Sequence, residues 1–166
     1  ARHRQYRHYR DRLLNYSAPT GRRVTKTIAL GELATIVRGA SPRPIRQFIT
    51  KDADGVPWIK IGDVVAGGKY ITNTKEKVTV EGASKSRRIQ PGDFVLSNSM
   101  SFGRPYISKI EGCIHDGWLA ISDFSESFES SFLYHLLRSD SIQAEFARRA
   151  GSGTVQNLNA DIVKGI

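Results

Sequence analysis

A chain of 166 residues, 39% hydrophobic and 25% charged, has room for one domain with a real core and no need of disulfide staples. Its single cysteine, Cys113, cannot form an internal disulfide and reads as a buried apolar filler in a reducing, intracellular setting. No run approaches the ~20 apolar residues of a membrane span, and no charged-then-apolar start reads as a secretory leader, so a soluble, membrane-free protein is expected.

The net charge of +9 is unevenly placed. Residues 1–26 hold eight Lys/Arg against Asp11 alone, and the rest of the chain is close to balance at +2. Such a basic segment either meets an anionic partner, nucleic acid foremost, or is a solvated helix face. Within it, Tyr6, Tyr9, Leu13 and Tyr16 fall at the spacing of a helix that packs on another helix. Pro19 and Gly21 then end the helix in a hinge over 17–26. The start in mid-helix and the stop in an apolar run lead us to expect a piece of a longer chain.

From Ile28 to Val37 the pattern predicts a short helix leading into a strand, broken by the loop Gly39 to Pro44. Pro57 to Ile61 and Phe94 to Leu96 read as buried strands. Tyr106 to Ile110, Cys113 to His115 and Trp118 to Ile121 follow, with Gly112 and Gly117 at hairpin-like spacing. Beyond residue 127 the period turns helical: Phe132, Leu133, Leu136 and Leu137 behind a Ser130 or Ser131 cap, then Ile142, Phe146 and Ala150 in a helix from Ser139. Asn159 caps a third start. Strands followed by helices, without strict alternation, predict an α+β domain over 27–166, strand-rich and closed by C-terminal helices.

Catalytic constellations are missing from the sequence. The six prolines never fall adjacent, so no Asp/Asn-Pro-Pro-aromatic strip for amino-methylation exists, and Gly67-Gly68-Lys69 lacks the spacing of a phosphate-binding loop. Asp52 and Asp54 flank Gly55 as turn residues, and His3, His8, His115 and His135 show no metal-ligand spacing. His115-Asp116 invites an acid-base reading but has no partnered nucleophile in sequence. No metal or cofactor is expected on this chain.

The binding features are stronger. Ser97, Asn98, Ser99, Ser101 and Arg104 form a polar loop directly after a buried strand, with donors and acceptors suited to base edges and phosphates; an ordinary hairpin loop is the alternative. Arg43, Arg46, Lys75, Lys77, Lys85, Arg87 and Arg88 supply flanking cations, arginines for guanine and lysines mostly for phosphate, some of them only solvated surface charge. Trp58 and Trp118 read as core.

Four segments, in order, carry a resemblance: Tyr9-Arg10-Asp11-Arg12-Leu13-Leu14; Ile28 to Gly39 with Leu-Gly-Glu-Leu at 30–33; Val56-Pro57-Trp58-Ile59-Lys60 followed by the Gly92-Asp93 turn and its polar loop; and Gly151-Ser152-Gly153-Thr154-Val155-Gln156-Asn157-Leu158. Together they resemble the target recognition domain of a type I restriction-modification specificity subunit, preceded at 1–16 by the end of its long coiled-coil spacer helix. The resemblance implies a non-catalytic, prokaryotic, cytoplasmic reader of one half of a bipartite duplex DNA site. The loops just described would contact DNA, and Tyr6, Tyr9, Leu13 and Tyr16 would form the helix-helix interface. Implied partners are adenine methyltransferase subunits, a restriction subunit, and a second recognition domain or second copy; S-adenosylmethionine, ATP and Mg would sit only on those subunits. The alternative is a non-catalytic protein-interaction module docking through its basic helix.

Overall fold

The computed structural model describes residues 27–65, 67–98, 102–151 and 157–166. The expected spacer helix with Tyr6, Tyr9, Leu13 and Tyr16, the hinge, and Ser99 and Ser101 of the polar loop lie outside the described residues.

Two five-stranded sheets form the body. The first has the order β1 (Thr35–Arg38), β10 (Trp118–Ser122), β7 (Phe94–Ser97), β8 (Pro105–Ser108), β4 (Tyr70–Ile71). The second has the order β2 (Ile49–Thr50), β5 (Glu76–Val78), β3 (Val56–Ile59), β9 (Gly112–Ile114), β6 (Arg87–Ile89). Four helices are described: α1 (Val80–Ser84), α2 (Ser130–Leu137), α3 (Asp140–Arg149) and α4 (Ala160–Lys164). None of them is long and apolar enough to cross a membrane.

Alternation along the strands sorts the core into layers. Ile36, Phe94, Leu96, Ile107, Leu119 and Ile121 point from the first sheet to Leu133, Leu137, Phe146, Leu158 and Val163 of the helical side. Val95, Tyr106, Trp118 and Ala120 point the other way, to Ile59, Ile89 and Ile114 of the second sheet. The outer face of the second sheet is closed by Phe48 and Ala83 over Trp58, Val78 and Cys113. The first sheet is thus covered on both faces, so β7, β8 and the start of β10 read as unbroken buried runs. Each such large side chain contributes roughly 1.5–3 kcal/mol by leaving water.

The structure corrects several sequence expectations. The strand expected to reach Ile61 ends at Ile59, and Ile61–Asp63 forms a 3-10 turn. The expected hairpins through Gly112 and Gly117 do not form: β8 lies in the first sheet, β9 in the second and β10 in the first again. A Cβ at Gly112 would approach the Pro57 carbonyl oxygen to 2.9 Å, so that glycine serves close strand approach, not a hairpin turn. The cap of α2 is Glu129, whose carboxylate accepts the Phe132 amide, and neither Ser130 nor Ser131. Ser139 and Asn159 do cap α3 and α4, each accepting the amide of Ile142 and Ile162 respectively.

Gly62-Asp63 and Gly92-Asp93 both close turns. Asp63 Oδ2 accepts the Lys60 amide and Asp93 Oδ2 accepts the Gln90 amide, both at 2.8 Å and both three residues back. Gly92 takes φ +103°, open to glycine without strain.

Candidate nucleic-acid interface

The pairing registers place the end of β1, the start of β10, the end of β7 and the starts of β8 and β4 on one rim of the first sheet. The matching rim of the second sheet holds the ends of β3 and β9 and the starts of β5 and β6. The two rims are stitched together: the Ala40 amide donates to the Ile114 carbonyl and the Ser86 hydroxyl to the Ala40 carbonyl. A Cβ at Gly39 would collide with the His115 carbonyl oxygen, so only glycine permits this crossing.

Cations crowd this shared rim: Arg38, Arg43, Arg46, Lys60, Lys69, Lys75, Arg87 and Arg104. The turns at the opposite rim bring Asp93, Glu111 and Asp123 instead. Cations outnumber acids on the shared rim, where Glu76 pairs with Lys60 at 2.8 Å and Asp116 sits at the centre, while Lys109 follows the end of β8 on the opposite rim.

Asp116 organises the centre. Its Oδ1 accepts from the Ser41 hydroxyl and from His115 Nε2, both at 3.0 Å, and its Oδ2 from Arg43 at 3.2 Å. Its backbone carbonyl accepts from Arg38 Nε at 3.1 Å and from the Asn98 amide at 2.9 Å. Partial burial pushes the carboxyl up, but the Ser41 hydroxyl and the charges of His115, Arg43 and Arg38 outweigh it and hold it below the usual range. Beside it, a cleft of about 780 Å³ runs between the 41–46 loop and the second sheet, floored by Trp58 and rimmed by Arg43, Arg46, Lys60 and His115.

The same geometry answers the acid-base reading of His115-Asp116. His115 Nδ1 accepts the Gly117 amide at 2.9 Å and Nε2 meets Asp116, so both ring nitrogens are engaged, and the Ser41 hydroxyl donates to the carboxylate and not to the imidazole. This is an anchoring cluster, unlike a nucleophile-base pair. Among the described residues no three His, Cys, Asp or Glu side chains converge as a metal site.

The residues singled out in the sequence fall into three groups. Arg43, Arg46, Arg87 and Arg104 are exposed on the rim, and Arg46, Arg87 and Arg104 have no side-chain partner among the described residues. Lys75, Lys77, Lys85 and Arg88 are engaged within the fold: Lys75 Nζ with the Gly62 carbonyl, Lys77 Nζ with the Asp52 and Ala53 carbonyls, Lys85 with Glu81 and the Phe48 ring, and Arg88 with Glu111. Ser97 and Asn98 require a correction as base readers, because each is only 2% exposed. Ser97 Oγ accepts the Arg104 amide, while the Asn98 amide and carbonyl pair with Gly117 and Leu158, so both close the loop from beneath.

Sequence reading passed over Arg38, Lys60, Lys69 and Arg138. Arg38 carried a usable signal, a cation ending an apolar strand before a Gly-Pro loop. Lys69 and Arg138 gain meaning only when distant segments meet.

No family model matches the chain. Solved structures do. A chain of the type I R-M system, solved for its complex assembly and conformational transition, superposes with a TM-score of 0.65 at 15% identity, over 98% of this chain and 40% of that one. The HsdS subunit from Thermoanaerobacter tengcongensis gives 0.63 at 20% identity, over 95% and 41%. The type I restriction-modification S subunit from M. genitalium gives 0.52 at 13%, over 90% and 35%. The chain spans about two-fifths of the length of the first two. At these identities the likeness is one of fold: the α+β architecture described above matches that of S subunits of type I restriction-modification systems.

Proposed function

We propose that this chain is a DNA target recognition domain of a type I restriction-modification specificity subunit, reading one half of a bipartite duplex site with no catalysis of its own. The observation that carries the reading is the cationic rim, built on this fold at the end where both sheets present their loops. Arginine forks there suit the O6/N7 edge of guanine, and lysines suit phosphates. From Arg38 beside β1 to Arg104 beside β8 is three strand steps, about 14 Å, enough to cover a major groove of about 12 Å. Asp116, Asn98 and Ser97 hold the loops in place and leave the reading to the side chains above them.

In this reading the partners are duplex DNA, adenine methyltransferase subunits, a restriction subunit, and a second recognition domain or second copy that reads the other half site. S-adenosylmethionine, ATP and Mg belong to those subunits. The setting is the cytoplasm of a prokaryote.

The test is to express the parent of this chain with its methyltransferase subunit in a methylation-free host and sequence the modified adenines. A split motif that changes in one half when residues 27–166 are exchanged for another domain supports the reading. A soluble, associated pair that leaves no new methylation refutes it.

A further inference from the structure

A second cleft opens on the other flank of the rim. It encloses about 340 Å³ between the Gly67-Gly68 turn, the start of β8 and helices α2 and α3, and is lined by Gly103, Arg104, Tyr134, Arg138 and Gln143. That volume is at the low end of the ~300–1,000 Å³ of ligand sites.

Two cations line it, Arg104 and Arg138, and a third, Lys69, lies beside it against the Tyr134 ring. Arg104 is exposed, without a side-chain partner among the described residues. Arg138 is fixed in place: one guanidinium nitrogen donates to the Tyr134 hydroxyl at 2.7 Å, and the group lies 5.2 Å from the centre of that ring. Lys69 lies over the same ring at 4.7 Å and over Tyr70 at 5.4 Å. None of the three makes a salt bridge among the described residues; Glu129, capping α2, is the acid whose charge reaches Lys69.

The floor is rigid. Gln143 Nε2 donates to the carbonyls of both Gly103 and Leu137 at 2.7 Å, tying the turn before Arg104 to both helices. Gly103 holds φ +73°, and a Cβ there would press on Gln143 and Phe146 at 3.2 Å. Such bracing fixes the backbone from which the exposed Arg104 side chain projects.

We infer that this cleft is a phosphate-binding site, seating a backbone phosphodiester of the duplex through Arg104 and Arg138, with Lys69 adding positive charge beside Tyr134. The inference rests on the DNA-reading function proposed above and adds α2 and α3 to its contact surface. Guanidinium forks match a tetrahedral dianion or phosphodiester through paired N–H donors, and a lysine completes the charge. A free phosphate shares this chemistry. The cleft adjoins the rim through β7 and β8, so a duplex lying on the rim reaches it without leaving the surface.

The test uses the full chain, titrated by NMR with inorganic phosphate and with a mixed-sequence duplex, and compared with Arg138→Gln and Arg104→Gln after circular dichroism confirms folding. Phosphate should shift the amide signals of Gly67, Gly68 and Gly103. Each variant should weaken duplex binding roughly tenfold at low salt and lower the salt slope by about one. Duplex binding unchanged in both variants overturns the inference and leaves the DNA reading standing. Phosphate binding without binding of any duplex keeps the site, assigns it to free phosphate and removes the DNA reading. Binding of neither overturns the phosphate assignment outright.

Discussion

The Asn98 side-chain amide donates to the Asp116 backbone carbonyl at 2.9 Å, so the residue that follows β7 grips the turn that opens β10. The same carbonyl takes Arg38 Nε from the end of β1. Three neighbouring strand ends are thus tied to one oxygen, and the cations above them share a common base. The rim is rigid because its polar groups are spent inward.

Asn98→Ala should therefore behave as a stability mutation and not as a specificity mutation. It leaves the Asp116 carbonyl short of a donor beside a buried loop, a loss of about 1–3 kcal/mol. Urea unfolding should show a lower midpoint at unchanged slope. DNA bound by the folded fraction should keep its base preference.

Acidification should weaken the same junction. The Asp116 carboxyl lies below its ordinary value, since the Ser41 hydroxyl and the His115, Arg43 and Arg38 charges outweigh the upward push of burial. A folded-state pKa below the unfolded ~3.9 contributes stability that is present above the unfolded value and lost as pH falls through the folded one. Glu145, held at about 2 by hydrogen bonds from Arg148 and Arg149, acts in the same direction. The Asp116 share is read as the difference between wild type and Asp116→Asn: the variant should be less stable at neutral pH, and the gap should close below about pH 4.

What could be read from sequence follows burial. β7 and β10 were visible because both their faces are covered, α2 because of its apolar period alone, and α3 and α4 because apolar period and caps agree. Glu76–Val78 and Arg87–Ile89 were not, since each sets one buried residue among polar ones, and the two-residue strands at Ile49 and Tyr70 carry no period at all. The sheet partition was hidden too, because three successive strands change sheet twice with no local mark. At the site, residue type showed Arg43 and Arg104 as candidate contacts, while the burial of Ser97 and Asn98 depends on Arg104, Gly117 and Leu158 closing over them.

Cys113 should resist alkylation in the native state. Burial pushes its thiol up, against a smaller opposing pull from Arg88 and Ser86, and the side chain is fully covered. Reaction with a thiol reagent at pH 8 should track global unfolding, and prompt labelling of folded protein would refute the packing described here.

Gly39 and Gly62 separate steric need from mere flexibility. A methyl at Gly39 collides with the His115 carbonyl, whereas one at Gly62 meets nothing within 4 Å. Gly39→Ala should cost about 1–3 kcal/mol and loosen the 40–46 loop, while Gly62→Ala should stay within about 0.5 kcal/mol. Thermal unfolding of the pair, read together, checks this.

Lys77 and Arg87 look alike in sequence, both cations on strands of the second sheet, but they differ in what they hold. Lys77 Nζ donates to the Asp52 and Ala53 carbonyls at 3.3 and 3.1 Å and its stem lies against Gly55, so it braces the 52–55 turn. Arg87 is exposed where β6 begins, next to the Ser86 hydroxyl that ties the rim together, and it has no side-chain partner among the described residues. A phosphate contact requires a cation free to reach out, and its removal lowers the slope of log affinity against log salt by about one. Arg87→Ala should do this across all duplex sequences with little change in stability, whereas Lys77→Ala should lower stability and leave the salt slope alone. Equal slopes for both variants and wild type would place the DNA away from the second sheet and confine the contact surface to the rim between Arg38 and Arg104.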